Sequence, residues 1–138
     1  MIELTAAQWN TLEQLMVTVL PSDEQPGAEE AGVIGFLRCA LAQGRWASRG
    51  ELLASGLGTL DALARSRCGT SFAACGAADR DAMVAVIQRV PQGQTQRFLA
   101  LVIDMALTGF LCVPRHGGNR HYVGWETIGW RPIDPSRV

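Results

Sequence analysis

Apolar residues recur every three or four positions in five stretches of this chain, which is the spacing of one buried face of an α-helix. Before the first stretch, Thr5 and Gln8 have the pattern of a capping box, in which the threonine side chain accepts from a free backbone amide and the glutamine reaches back. Pro21 stops the stretch, so a helix is predicted over 6–20. The pattern as a whole predicts an all-α fold of about five helices.

The second and third helices are predicted from the same spacing and from their ends. The second covers 28–43, with two glutamates in its first turn and a glycine just beyond it. The third begins at another capping-box pattern, Ser48–Glu51. Glycines at 50, 56 and 58 weaken this helix by about 1 kcal/mol each relative to alanine. They also hint at close packing, because a residue without a side chain lets another element approach.

Two more helices complete the predicted body. The fourth is opened by Asp79 and Asp81 and ended by Pro91 and Gly93, and the fifth covers about 95–111. The fifth is the most apolar, but its run FLALVIDMALTGFLCV is shorter than the roughly 20 residues that a membrane span needs. It also carries Asp104 at its middle. We therefore expect a central core helix and no transmembrane segment.

The chain of 138 residues is long enough to bury one hydrophobic core and contains no internal repeat or linker that would divide it. We expect a single domain over 1–138. Its helical body covers about 5–112, and an irregular tail rich in glycine and tryptophan covers about 113–138. Asp61 and Asp104 lie in largely apolar helices, so each is expected at the surface or in a structural ion pair.

Charge and the N-terminus limit the classes of partner. The twelve basic residues are all arginine and are scattered along a chain of net charge −1, whereas nucleic-acid binding depends on clustered basic residues. We therefore expect no nucleic-acid partner. The start, MIELTAAQWN, has neither the pattern of a secretory signal nor paired arginines. The chain as given is expected in the cytoplasm, or in the periplasm if a leader was removed.

Few residues of this chain could carry out catalysis or bind a metal. The four cysteines are widely spaced and are expected as buried free thiols, with Cys68–Cys75 as the first disulfide candidate in an oxidising compartment. The two histidines, His116 and His121, both lie in the tail, and no nucleophile elbow or phosphate-binding loop is present. Cys112 and the two histidines could supply three metal ligands, but no fourth is evident. A stand-alone metal-binding protein or an enzyme using these histidines is the alternative reading.

Interaction is the remaining function for the tail. Tryptophan, tyrosine and arginine are favoured at the energetic centres of protein interfaces. All three residue types crowd into 120–131, as Arg120, Tyr122, Trp125, Trp130 and Arg131. The tail could dock a partner or fold back over the chain's own helices. The tail does both if one tryptophan packs against the chain's own helices and the other faces outward to a partner.

Several longer motifs resemble those of a known family. They are the Leu4–Gln8 start, the pattern LP-x-D-x-x-PGA-x-x-AGV at 20–33, Pro114-x-His-Gly-Gly-Asn at 114–119, and Val-Gly-Trp-x-x-Ile-Gly-Trp at 123–130. With these motifs the chain resembles the gluconate 2-dehydrogenase subunit 3 family, the small subunits of membrane-linked or periplasmic flavin dehydrogenases. The resemblance covers nearly the whole chain. The sequence departs from the family by lacking a twin-arginine leader, by His116 in place of an aromatic residue, and by Trp130 in place of tyrosine.

The resemblance implies an accessory subunit without a cofactor or active site of its own. Its partner would be a large FAD-dependent oxidoreductase of the glucose–methanol–choline type that acts on a sugar, sugar acid or glycoside. The small subunit would help that partner fold, hold FAD or be exported, and a cytochrome c subunit with haem c is a further expected component. Gly117, Gly118 and Asn119 would form a tight turn that starts the docking tail. The expected partner-binding residues are Arg115, His116, Gly117, Gly118, Asn119, Arg120, Tyr122, Trp125, Trp130 and Arg131.

Overall fold

Within residues 2–90, 92–134 and 136, which the computed structural model describes, the chain forms helices and turns and no β-strand. The α-helices are α1 (Ala6–Val19), α2 (Ala28–Ala31), α3 (Val33–Ala42), α4 (Gly50–Cys68), α5 (Ala77–Gln88), α6 (Gln94–Leu111) and α7 (Val123–Thr127). Short 3-10 turns cover Ala47–Arg49, Phe72–Ala74, Pro114–His116 and Arg120–Tyr122. The all-α prediction is confirmed, whereas the described residues contain seven α-helices where about five were predicted.

The first helix has the predicted cap. The Thr5 hydroxyl accepts from the Gln8 amide at 3.2 Å, and the Gln8 side chain accepts from the Thr5 amide at 2.8 Å. This reciprocal pair satisfies two amides that the first turn leaves free. The capping box therefore fixes where α1 begins.

The second predicted helix is broken, so the prediction of one helix over 28–43 was wrong. Gly32 adopts a left-handed backbone conformation with φ of 71° and separates α2 from α3. The apolar spacing continues across the break, which is why periodicity alone did not reveal it. At the start of α2, the Glu30 carboxylate accepts from the Ser22 hydroxyl and the Gly27 amide, and these bonds lower the pKa of Glu30 below its usual value.

The capping box predicted at Ser48 was also wrong. Residues 47–49 form a 3-10 turn that leads directly into α4, and the N-cap residue Arg49 makes no side-chain cap bond. The turn follows Trp46, whose backbone is left-handed with φ of 58°. The next long helix, α5, begins at Ala77, ahead of the two aspartates that were predicted to open it, and its predicted stop at Pro91 lies outside the described residues.

Helix α6 is the central element of the core, as predicted for the most apolar helix. It contacts α1 to α5 and α7, and its Leu101, Val102 and Met105 are fully buried. Gly56 of α4 lies against the ring of Phe98 so closely that any added Cβ would overlap the ring, which explains that glycine by close packing. In the described part of the chain, no helix combines the length and apolarity needed to cross a membrane.

Candidate functional site

The tail begins where α6 ends and is partly helical, so its prediction as irregular chain needs correction. It passes from the Pro114–His116 turn through two glycines to the Arg120–Tyr122 turn and then into α7. Much of its backbone is left-handed, with φ of 98° at Gly117, 45° at Asn119, 56° at His121 and 62° at Tyr122. Non-glycine residues adopt this conformation at a cost of about 1–2 kcal/mol each. Other contacts must therefore hold the tail in place.

Asn119 supplies the main set of these contacts. Its side chain is fully buried, with 0% exposure. The side-chain oxygen accepts from the Gly124 amide at 2.8 Å and the Trp125 amide at 3.3 Å, and the side-chain nitrogen donates to the Cys112 carbonyl at 2.9 Å. Its own backbone amide donates to the Gly109 carbonyl at 2.8 Å. One asparagine thus ties the end of α6 to the start of α7.

Two glycines allow the tail to lie directly on α6. A Cβ at Gly118 would overlap the carbonyl oxygen of Gly109, and a Cβ at Gly124 would overlap that of Phe110. Because both obstacles are backbone atoms of α6, neither could move aside as a side-chain end could. These glycines serve close packing within the chain.

The tail aromatic cluster consists of Tyr122, Trp125 and Trp130. Trp125 is buried with 6% exposure, and its indole nitrogen donates to the Leu111 carbonyl at 2.9 Å. Trp130 packs edge-on against Trp125, with ring centroids 4.6 Å apart, yet remains 47% exposed. Tyr122 lies on Trp125 at 5.8 Å and is 42% exposed. One tryptophan therefore faces inward and supports two exposed aromatic rings.

Two exposed apolar residues of the tail, Ile128 and Ile133, were not among the predicted partner-binding residues. Both are more exposed than Trp130. The sequence could have indicated both, because each is an isoleucine outside any helical apolar stripe, in a segment otherwise rich in polar residues and glycine. A second exposed apolar region, the α6 groove, lies between α1, α5 and α6 and includes Ile103 and Leu107.

The predicted arginines and histidines of the tail have different surroundings. Arg120 packs over Gly32, where an added Cβ would come within 2.8 Å of its guanidinium, so it holds the tail to the α2–α3 junction. His121 and Arg131 are exposed. Arg115 and His116 line an open cleft of about 670 Å³ between α3 and the end of α6. This basic cleft is lined by Phe36, Cys39, Ala40, Gln43, Gly44, Arg45, Thr108, Cys112, Arg115 and His116.

All four cysteines are free thiols, including the Cys68–Cys75 pair that was the disulfide candidate. The expectation that they are buried holds for Cys75, whereas Cys68 and Cys112 are half-buried and Cys39 is exposed. Cys112 and His116 line the same cleft, but the residues that the structure describes include no group of three or more metal-ligating side chains. Burial raises the pKa of the Cys112 thiol; hydrogen bonds with Gly118 and its own backbone, and then the charge of Arg45, partly offset this rise.

The two aspartates singled out from the sequence both have partners. Asp61 accepts from the Phe72 amide at 2.9 Å and forms an ion pair with Arg65 at 3.3 Å. Asp104 is exposed and accepts from the indole nitrogen of Trp46 at 2.9 Å. Neither carboxylate is left buried and unpaired, in agreement with the expectation of structural roles.

The model of one protein family, gluconate 2-dehydrogenase subunit 3, matches residues 6–132 of the 138. The chain belongs to the gluconate 2-dehydrogenase subunit 3 family. Its membership makes it a subunit of the kind found in multi-subunit dehydrogenase complexes. Comparison with curated proteins and with solved structures gave no match. The family match includes the whole tail aromatic cluster and the Asn119 contacts beneath it, so these features lie within the family domain.

Proposed function

We propose that this chain is a non-catalytic accessory subunit that binds and stabilises a large FAD-dependent oxidoreductase. The partner is of the glucose–methanol–choline type and acts on a sugar, sugar acid or glycoside. It holds the FAD, and a cytochrome c subunit with haem c is the further component that would accept electrons. The proposal rests on membership in a family of dehydrogenase subunits. The observation that carries it for this chain is the exposed Trp130, supported from beneath by the buried Trp125.

Exposing large apolar side chains to water costs free energy, and the tail exposes several of them. A tail that only covered its own helices would bury its large apolar residues, because burial is where they stabilise a fold. This tail instead holds Tyr122, Ile128 and Trp130 at the surface while three non-glycine residues keep a left-handed backbone. A rigid, exposed aromatic group loses little freedom on binding, which favours affinity. Exposed apolar groups of this kind mark interaction sites.

The predicted partner-binding residues divide into two roles under this proposal. Trp125, Asn119, Gly118 and Gly117 shape the tail from within, and Arg120 fixes it to the α2–α3 junction. The residues that contact the partner are Tyr122 and Trp130, with Arg115, His116 and Arg131 at the rim and with Ile128 and Ile133 added. A central aromatic group inside a polar rim is the usual arrangement of energetic centres at interfaces.

Co-purification tests the proposal. The tagged chain is expressed alone and together with the flavin-dehydrogenase genes of the same genome, and the absorption spectrum of the eluted protein is recorded. We expect a large subunit with a flavin spectrum to co-elute, and the large subunit to lose flavin or solubility when this chain is omitted. A colourless monomer that elutes without any of those subunits would overturn the proposal. Turnover or bound metal in that monomer, abolished by His116→Ala or His121→Ala, would favour the histidine-based alternative.

A further inference from the structure

The basic cleft is a positively charged region on a chain whose net charge is −1. Its lining residues come from two segments, 36–45 and 108–116. Together these segments contain three arginines and one histidine, and they contain no aspartate or glutamate. Arg45 lies on one wall, and Arg115 and His116 lie on the other. The fold thus brings together two parts of the sequence that each lack acidic residues.

Arg45 is held in the cleft by aromatic packing. Its guanidinium carbon lies 4.8 Å from the centroid of the Trp46 ring, which is a cation–π distance. Trp46 in turn packs edge-on against Phe36, with centroids 6.5 Å apart, and donates its indole hydrogen to Asp104. Asp104, an acidic residue beside the cleft, therefore accepts its hydrogen bond from the Trp46 indole. Its negative charge is not paired with either arginine.

The arginine charges of the cleft are not neutralised within the described chain. Over residues 2–90, 92–134 and 136, the ion pair recorded is Arg65 with Asp61, on α4. Neither Arg45 nor Arg115 makes a side-chain hydrogen bond or ion pair there. Two unpaired guanidinium groups beside an open cleft favour a carboxylate or phosphate, with which arginine forms charge-assisted bonds.

We infer that the basic cleft receives an acidic peptide segment of the partner subunit, whose carboxylates bind to Arg45 and Arg115. The identity of that partner rests on the proposed function. A peptide fits the cleft better than a small free anion, because the volume is about 670 Å³ and the lining includes the apolar groups Phe36 and Ala40. These groups can contact the apolar parts of the peptide's side chains while the two arginines bind its carboxylates.

The cleft is also continuous with the tail. Arg115 and His116 form the turn that opens the tail, and a Cβ added at Gly117 would lie 3.9 Å from the Cα of Phe36. This turn therefore rests on α3 and separates the cleft from the Asn119 framework by only a few residues. One partner can cover both surfaces, with the aromatic cluster providing apolar contact and the cleft providing charge complementarity.

The test compares the double variant Arg45→Gln/Arg115→Gln with the control Arg97→Gln. Arg97 is an exposed arginine in the first turn of α6, about 16 Å along the helix axis from Thr108 in the cleft. The dissociation constant of the complex with the flavin subunit is measured at several salt concentrations. We expect the double variant to bind about tenfold more weakly at low salt and to show a shallower salt dependence, and the control to match wild type. Equal affinity of the double variant and wild type would overturn the inference.

A second arm separates this inference from the proposed function. Hexaglutamate and inorganic phosphate are titrated, at equal ionic strength, into the isotope-labelled wild-type chain and the double variant, and backbone amide shifts are recorded. The inference predicts that hexaglutamate shifts Gly44, Thr108 and His116 in wild type only. Equal shifts with phosphate, or shifts that the double variant retains, would contradict an acidic-peptide site. If no flavin subunit binds wild type, the proposed function and the assigned partner fail, and this arm still decides what the cleft accepts.

Discussion

The helical body and the tail are held together by different interactions. In the body, apolar side chains at helical spacing meet in one buried cluster around α6. In the tail, one buried asparagine, two glycines in backbone contact and one buried tryptophan hold a partly left-handed chain. Single changes at the surface of such a body usually alter stability by no more than about 0.5 kcal/mol, whereas changes at the few buried contact residues of the tail are expected to cost more.

Asn119→Ala is expected to weaken the tail more than any other single change considered. The change removes the acceptor of the Gly124 and Trp125 amides and the donor to the Cys112 carbonyl. Buried groups left without partners cost about 1–3 kcal/mol each, so we expect the opening free energy of the tail to fall by about 3 kcal/mol. Hydrogen exchange of the Gly124 amide should then accelerate about a hundredfold. Asn10→Ala, at an exposed position of α1, is the matched control and should leave this exchange unchanged.

A pair of glycine changes comes next in expected size. Gly124→Ala places a methyl group against the Phe110 carbonyl and should destabilise the protein by about 2 kcal/mol, as overpacking does. Gly58→Ala, on an open face of α4, should stabilise it by up to about 1 kcal/mol, because alanine favours helix. Urea denaturation of both variants measures the two free energies of unfolding. Destabilisation of similar size at both positions would show that close approach to α6 is not what requires glycine at 124.

The smallest expected effect concerns thiol reactivity. Burial raises the pKa of Cys112, so less thiolate forms at a given pH than at an exposed cysteine. For the same reason the folded state becomes less stable as the pH rises into the range where exposed thiols ionise. Iodoacetamide should therefore modify the exposed Cys39 several-fold faster than Cys112 at pH 8. Mass spectrometry of the modified peptides gives both rates. In Asn119→Ala the Cys112 rate should increase while the Cys39 rate stays constant; equal rates in wild type would contradict the burial.

Sequence reasoning predicted the body better than the tail for a physical reason. Periodicity reports which side chains are buried, and it therefore predicted α1, α4 and α6 and their apolar faces. It does not report backbone breaks whose flanks keep the same apolar spacing, so Gly32 within 28–43 was missed. The Ser48 pattern failed as a cap because Trp46 and the 3-10 turn set the chain direction first.

For the site, the sequence indicated the right segment but not the role of each residue. The tight turn at Gly117–Asn119 was expected from the family resemblance, and Gly117 and Asn119 have the left-handed backbone that glycine and asparagine tolerate. Trp125 is buried and Trp130 is exposed because Trp125 donates a hydrogen bond to Leu111 and because glycines let the tail lie on α6. No local sequence pattern encodes these contacts. Arg45 was missed because it is distant in sequence from the tail and reaches the cleft only through the packing of α3 against α6.

One pair of variants decides whether the tail aromatic cluster docks the flavin subunit. Trp130→Ala removes the exposed ring of the tail, and Leu107→Ala removes a side chain of nearly equal exposure, 45% against 47%, from the α6 groove. Calorimetry of the complex should show that Trp130→Ala loses about 2 kcal/mol of binding free energy, which is a roughly thirtyfold larger dissociation constant. Leu107→Ala should lose less than about 0.5 kcal/mol. Unchanged affinity for Trp130→Ala, with weakened binding for Leu107→Ala and both variants folded, would contradict the account and assign docking to the α6 groove.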